Sequence, residues 1–452
     1  MKTIQISTAI EKDGFRTTVD NHHLSTHYAS AVWKSVPTTL HQQLAQTASY
    51  FFTRHLAVSK KTMVDYHFPP PMARLFLDYG YFYSIIEAPF EFPEKKLTAT
   101  QVIRSAYNAE FFLRFRDIPE PVANNKPFST NPHSCLMPIS FGKDSLLTFA
   151  LARELGLTPH PVFIVEPACP YQNKKKEFLR QEFSKEFGVP IIAFPNTLGE
   201  LRQAGGMMWG WDMLLTQYTT LLLPYVFYEK PNYFFWSNEQ SINEYNEDDE
   251  GYLVNPVHEQ SIPWVLHLNN LYRLFGVNTT ISSLIGPLHE LLILSILHKR
   301  YPQVGKYQLS CDGEKTKHRW CGKCFECARI FLFLSAIGVD PKRIGLMDNM
   351  LAKKCKPLYY LFSKTNDPDL NILSQSYEER LLAFYLAYRR GVKGDLMHLF
   401  VNKLLPYVEK RKTRLFAKFF SIHSMETIPL SLQPGLQTIY KEELTRLKKD
   451  II

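Results

Sequence analysis

No stretch of this chain is long and apolar enough to cross a bilayer. The best run, Met213 to Val226, is interrupted by threonine and glutamine, whereas a spanning helix needs about 20 apolar residues. The first residues lead into polar sequence and lack the apolar core and small-residue cleavage site of a secretory signal. No internal repeat and no low-complexity tract interrupts the chain. The Gly-x-x-x-x-Gly-Lys-Ser/Thr pattern that cradles β and γ phosphates for terminal transfer is also missing. Cysteines are few, and they are not scattered as disulfide partners would be. Of the seven, Cys311, Cys321, Cys324 and Cys327 crowd into one short segment, which in a reducing compartment marks metal binding. These absences lead us to expect a cytoplasmic protein with no membrane partner.

The chain has 452 residues, 45% of them hydrophobic, enough to bury large cores in two or three domains. Its formal charge of +9 suits polyanionic ligands such as nucleotides. Residues 1–130 mix short strand-like stretches with amphipathic segments, including a helix expected over Leu40 to Val58, and end in the turn-rich run Ile118 to Pro127. Residues 131–340 alternate strands and helices, the pattern of a parallel sheet covered on both faces. The expected strands are Cys135 to Ile139, His160 to Val165, Val189 to Phe194 and Tyr233 to Trp236. Helices are expected over Lys143 to Leu155, Gln172 to Phe187, Trp211 to Phe227, Leu284 to His298 and Ala328 to Ile337. Residues 341–452 read as helical and become basic, as in Lys403 to Lys418 and Lys441 to Lys449. The acidic patch Asn243 to Glu250 reads as a solvated loop, with magnesium collection as the alternative.

Between the first strand and first helix of the middle region stands Ser140-Phe141-Gly142-Lys143-Asp144-Ser145. A strand, a short loop and a helix N-terminus together present backbone N–H groups and a dipole to phosphates. Gly142 permits close approach, Ser140 and Ser145 offer hydroxyls, Lys143 offers a charge, and Asp144 can hold magnesium. A plain helix cap would need only one of these residues. At later strand ends, Glu166 and the run Ser237-Asn238-Glu239-Gln240-Ser241 could complete a site. In that run Asn238, Gln240 and Ser241 could read a substrate, and Glu239 could bind metal or move a proton. His258 and His289 are further residues of the right type for proton transfer.

Cys311, Cys321, Cys324 and Cys327 supply four thiolates with two short knuckle-like spacings, a structural zinc set with no open position. A redox Cys-x-x-Cys pair, an iron–sulfur cluster, or His318 in place of one sulfur are the alternatives. Gly322 suits the tight turn of a knuckle.

The loop resembles the Ser-Gly-Gly-x-Asp-Ser signature of the PP-loop ATP pyrophosphatases, with Phe141 in place of the first of the two glycines. That resemblance implies an adenine-nucleotide α-hydrolase-like, doubly wound fold that cleaves ATP between its α and β phosphates. The stretch Ser283-Leu284-Ile285-Gly286-Pro287-Leu288-His289-Glu290 is followed by Ser310-Cys311 and Trp320-Cys321-Gly322-Lys323-Cys324-Phe325-Glu326-Cys327. Over residues 130–340 this order is similar to that of the UDP-N-acetylmuramoyl-L-alanyl-L-glutamate epimerases of bacterial peptidoglycan synthesis. The resemblance implies ATP and magnesium as co-substrates, structural zinc, and a nucleotide-linked substrate whose terminal L-glutamate is adenylated and inverted. The zinc segment is also similar to that of 7-cyano-7-deazaguanine synthases, and Phe141 is similar to the loop of sulfonucleotide reductases, although their Glu-Cys-Gly segment is missing. An RNA-thiolating protein using the basic C-terminal helices as a phosphate track is the alternative of a different class.

Overall fold

The computed structural model describes residues 3–118, 128–204, 209–311, 318–362 and 377–451. Apart from Ile118, the turn-rich run expected to close the first region lies outside the described residues. The N-terminal strands are β1 (Thr3–Glu11), β2 (Gly14–Val19), β3 (His22–His27), β4 (Met63–Tyr66) and β5 (Leu113–Phe115). They form a mixed sheet in the order β3-β2-β1-β4-β5, with antiparallel β1–β2–β3 and β4 and β5 added in parallel.

The middle region supplies β6 (Asn131–Pro138), β7 (Thr158–Val165), β8 (Ile192–Pro195) and β9 (Pro231–Phe235). A short antiparallel pair, β10 (Asn246–Glu247) with β11 (Leu253–Val254), holds the acidic patch, and β12 (Thr280–Ser282) follows. Every pairing in the second five-stranded sheet, β12-β9-β6-β7-β8, is parallel. The chain lays down β6, β7 and β8 in one direction. It then returns to place β9 and β12 on the other side of β6.

Parallel strands buried on both faces carry apolar residues in unbroken runs, and β6 is the example. Cys135 and Met137 enter one core with Tyr233 and Phe235, while Leu136 enters the other with Phe234 and Val162. The first core is closed by the helices Lys143–Glu154, Glu290–Lys299 and Phe325–Ala336, and by C-terminal helices including Tyr377–Arg389 and Gln433–Ile451. The second is closed by helices Leu214–Leu221 and Ile262–Leu274 and by the N-terminal region. Tyr28, just past β3, stacks on Phe194 of β8 at 5.3 Å and donates its hydroxyl to the Leu221 carbonyl at 2.9 Å.

Proline explains where two of the expected helices break. Trp211 to Phe227 divides into Leu214–Leu221 and Leu223–Glu229, with Pro224 in the first turn of the second helix, where its missing N–H leaves nothing unpaired. The apolar stretch from Leu284 becomes helical only at Glu290, after Gly286 and Pro287. Leu40 to Val58 also divides, into Thr38–Thr53 and Leu56–Lys60. No helix among the described residues is long and apolar enough to cross a membrane.

Leu136, fully buried at the centre of the second core, sets the scale of that face. Leu136→Ala is expected to lower unfolding free energy by about 2–5 kcal/mol with an unchanged denaturant slope, as read from urea titration.

Candidate functional site

Strand order reverses between β6 and β9, and a cleft of about 400 Å³ opens there at the carboxyl ends of the strands. Open α/β sheets take ligands at this point because the connections leave β6 and β9 toward opposite faces. Ser140, Asp144 and Ser145 line one side of the cleft, and Trp236, Ser237 and Asn238 line another. Its walls are apolar and aromatic, including Phe163, Leu215 and Tyr218.

The loop from Ser140 to Ser145 is closed on itself. Ser145 Oγ accepts from the Ser140 amide and donates to the Gly142 carbonyl, both at 3.2 Å, while Ser140 Oγ accepts from the Gly142 amide at 3.4 Å. Phe141 carries the turn with φ of +60°. For a bulky residue that conformation costs about 1–2 kcal/mol. Its ring is fully buried, 5.8 Å from Phe183 and 6.2 Å from Phe163, and its carbonyl accepts from the Leu309 amide at 2.8 Å. Removing such a buried ring costs about 3–5 kcal/mol, so packing outweighs strain. Gly142 has an ordinary φ of −71°, and a Cβ there would meet only Ser140 Oγ at 3.4 Å and Ser310 Oγ at 3.9 Å.

Lys143 points inward. Its ammonium donates to Asp144 at 2.7 and 2.9 Å and to Glu239 at 3.1 Å, with Glu290 at 3.8 Å. Burial opposes the lysine's charge, but the three carboxylates outweigh it and hold the ammonium above the ordinary lysine range. Burial also opposes the charge of Glu239, yet Lys143, the Ser241 hydroxyl and Arg329 keep it below the usual carboxylate value. Asp144 is pushed up by burial in spite of Lys143. Glu290 is pushed by burial up to about 7, although Arg329 donates to it at 3.0 Å. Glu379, from the C-terminal helices, accepts from the Leu291 amide at 2.7 Å and is raised well above its ordinary value by burial and by Glu290. Burial thus works against the negative charge of Glu290 and Glu379, opposite in outcome to Glu239.

The expected site residues fall into groups. Asn238 lies in the cleft wall, buried, with its amide nitrogen unpartnered. Ser241 donates to Glu239 at 2.6 Å, so its hydroxyl positions that carboxylate. The Gln240 amide donates to the Leu288 carbonyl at 2.9 Å, fixing this turn beside His289. His289 stands at the N-cap position of the helix Glu290–Lys299 without a side-chain capping bond, packs against His423 at 4.8 Å, and is held neutral by burial, its pKa lowered to about 3. His258 stacks on Tyr83 at 5.4 Å, and burial lowers it to about 4. It lies toward the N-terminal helices and is not brought to the Lys143 cluster. Its neighbour Glu259 accepts from the Leu215 and Thr216 amides and caps helix Leu214–Leu221. The acidic patch is similarly occupied, with Glu250 accepting from the Thr100 amide at 2.8 Å and Glu244 pairing with Lys418 at 2.6 Å.

Glu166 lines the cleft but is held from behind. It accepts from the Tyr218 hydroxyl at 2.6 Å and from Asn196 at 2.8 Å, and pairs with Arg202 at 2.7 Å. Arg202 is itself fully buried between Phe52, Trp211 and Tyr218. Sequence reading missed Glu290, Arg329, Glu379 and Arg202. The available signals were a glutamate opening an apolar helix and an arginine inside another.

The cysteine cluster lies behind the loop. A tetrahedral zinc with bonds of about 2.3 Å sets its sulfurs ~3.8 Å apart. Here the closest sulfur pairs lie 3.4, 3.7, 3.7 and 3.9 Å apart, and all four sulfurs fall within 4.8 Å of one another. The Cys321 and Cys327 amides point at Cys311 and Cys324 sulfurs at 3.2 and 3.4 Å, the donors a thiolate knuckle needs. Exposed His318 is not a member of the group. Gly322 turns with φ of +65°, and a Cβ there would fall 2.0 Å from Asp348. The four thiols fit zinc. Bound there, it would tie Cys311, next to the loop's neighbour Ser310, to the helix that carries Arg329.

Cys324→Ser is expected to reduce zinc, measured by elemental analysis, from one equivalent per chain and to lower the melting temperature. A second expectation concerns Glu290. Its folded pKa near 7 lies above its ordinary 4.5, so its contribution to stability is complete below the lower value and lost as pH rises through the upper one. That loss is on the order of 3 kcal/mol. Glu290→Gln should give a shallower decline of unfolding free energy between those pH values in urea titrations. A scan of family models, a search of curated proteins and a search of solved structures each return no match to the chain, so function is argued from this geometry and the sequence.

Proposed function

We propose that the chain is a PP-loop ATP pyrophosphatase, with the adenine-nucleotide α-hydrolase-like arrangement of its sheet. In this reading it adenylates the terminal L-glutamate of UDP-N-acetylmuramoyl-L-alanyl-L-glutamate and returns the D-epimer, a step of peptidoglycan precursor synthesis. The observation that carries the reading is the Ser140–Ser145 loop at the mouth of the cleft where strand order reverses. The first amides of helix Lys143–Glu154 have no acceptors within the helix, and with the Ser140 and Ser145 hydroxyls they suit a triphosphate. Asp144, whose side chain lines the cleft, would hold a magnesium ion that offsets phosphate charge.

The substrate carboxylate attacks the α-phosphorus, a phosphoanhydride bond breaks, and pyrophosphate leaves. The acyl adenylate no longer carries the carboxylate's negative charge, so the adjacent carbon gives up its proton more readily. Glu239, ionised and next to the cleft-lining Asn238, is the group of the right type to take that proton. A proton returned from the opposite face inverts the centre. Water then cleaves the mixed anhydride, releasing AMP and the D-glutamate product.

With ATP, magnesium and this substrate in deuterated water, AMP and pyrophosphate should form in equal amounts, with solvent deuterium at the glutamate α-carbon. Chiral amino-acid analysis should find D-glutamate. AMP without D-glutamate would reject the epimerase assignment, and no AMP with this substrate would reject the whole reading. Glu239→Gln should lower deuterium incorporation by about 10²-fold or more while AMP still forms.

A further inference from the structure

The basic C-terminal helices enclose a second cavity that shares no lining residue with the cleft at the strand ends. It lies between the helices Tyr377–Arg389, Leu405–Phe419 and Gln433–Ile451 and has a volume of about 500 Å³. That is within the roughly 300–1,000 Å³ of small-molecule sites. Its interior is hydrocarbon and aromatic. Phe416 packs against Phe420 at 5.6 Å and against Tyr385 at 6.3 Å, and Leu447 is almost fully buried.

The rim differs from the floor. Arg389, Lys412 and Lys448 each come from a different helix, and among the described residues no carboxylate lines the cavity. Arg389 donates to the Tyr385 hydroxyl at 3.3 Å. Glu409 pairs with Lys412 at 2.7 Å, which leaves the edge with an excess of positive charge. An apolar floor under a cationic rim complements a molecule with a hydrocarbon chain and an anionic head. Three cations at the rim, one from each of three helices, suit a tetrahedral dianion better than a planar carboxylate, which a single arginine would grip through two parallel bonds. The apolar groups are recessed, whereas a bilayer-docking helix needs an apolar face that projects into the lipid.

We propose that this cavity binds one molecule of an alkyl phosphate, its chain against Phe416, Phe420 and Leu447 and its phosphate among Arg389, Lys412 and Lys448. The site is independent of the nucleotide chemistry assigned to the cleft. It makes use of the basic C-terminal character that the cleft leaves unexplained.

Calorimetric titration of the full-length, zinc-loaded protein with dodecyl phosphate below its micelle concentration tests this. One-to-one binding is expected, at least about tenfold tighter than that of dodecanol, with none detectable for inorganic phosphate. Thr413→Trp, at an exposed lining position, should block the cavity, and Arg389→Ala with Lys412→Ala should weaken binding by about tenfold or more. Circular dichroism and melting temperature verify that the variants fold. Absence of binding by the parent protein would overturn the proposal, as would equal affinity for the Thr413→Trp variant. Binding only to anionic phospholipid vesicles, unchanged in that variant, would assign the basic face to a membrane surface instead.

Discussion

A buried ammonium without counter-charges is too unfavourable to persist, and the centre of this molecule is arranged around satisfying one. Lys143 opens the first helix of the parallel sheet and turns its charge into the protein, where Asp144, Glu239 and Glu290 meet it. Each comes from a different element: the loop helix itself, the turn after β9, and the helix Glu290–Lys299. Arg329 extends the set from the helix that begins at the zinc-type knuckle. The loop's shape, the position of the β9 turn and the docking of the cysteine segment are thus parts of one electrostatic arrangement.

What could be read from residues alone was local. The strand, loop and helix around Ser140 to Ser145 and the spacing of Cys311, Cys321, Cys324 and Cys327 depend on neighbours within a few positions, and the structure has them as expected. The parallel character of the middle sheet also followed from its alternating pattern. Phe141 shows where local reading stops. In the sequence it is only a bulky residue in place of a glycine, and the contacts with Phe163, Phe183 and Leu309 that offset its left-handed backbone come from the fold. Lys143 invited a phosphate role because a lysine beside a glycine in such a loop normally faces the ligand. Two of its three carboxylate partners lie 96 and 147 positions away, beyond any spacing rule. The same distance hid Glu379, and His258 was attractive only because its neighbours Tyr83 and Trp264 could not be seen.

The cleft and the C-terminal cavity divide the chemistry of the surface. At the strand ends, apolar and aromatic walls surround the fixed hydroxyls and amides of the Ser140–Ser145 loop, suited to a ligand oriented by a few hydrogen bonds. Among the last helices, three flexible cations stand over a greasy floor, suited to a ligand held by burial and charge. The positive balance of the whole chain is therefore not one uniform property: the cations of the Lys143 cluster are buried among carboxylates, while Arg389, Lys412 and Lys448 stand at the rim of an apolar cavity.

The two faces of the parallel sheet also differ in when they can close. The face holding Leu136, Phe234 and Val162 is completed by residues no later than Ile281. The opposite face, with Cys135 and Met137, draws on side chains as far along as Leu447. A chain emerging from the ribosome can seal the first face while the second stays open for well over a hundred residues of synthesis. Truncation near the C-terminus would strip the helices Glu290–Lys299 and Phe325–Ala336 of apolar partners, so the last helices serve as the outer layer of a core begun at β6.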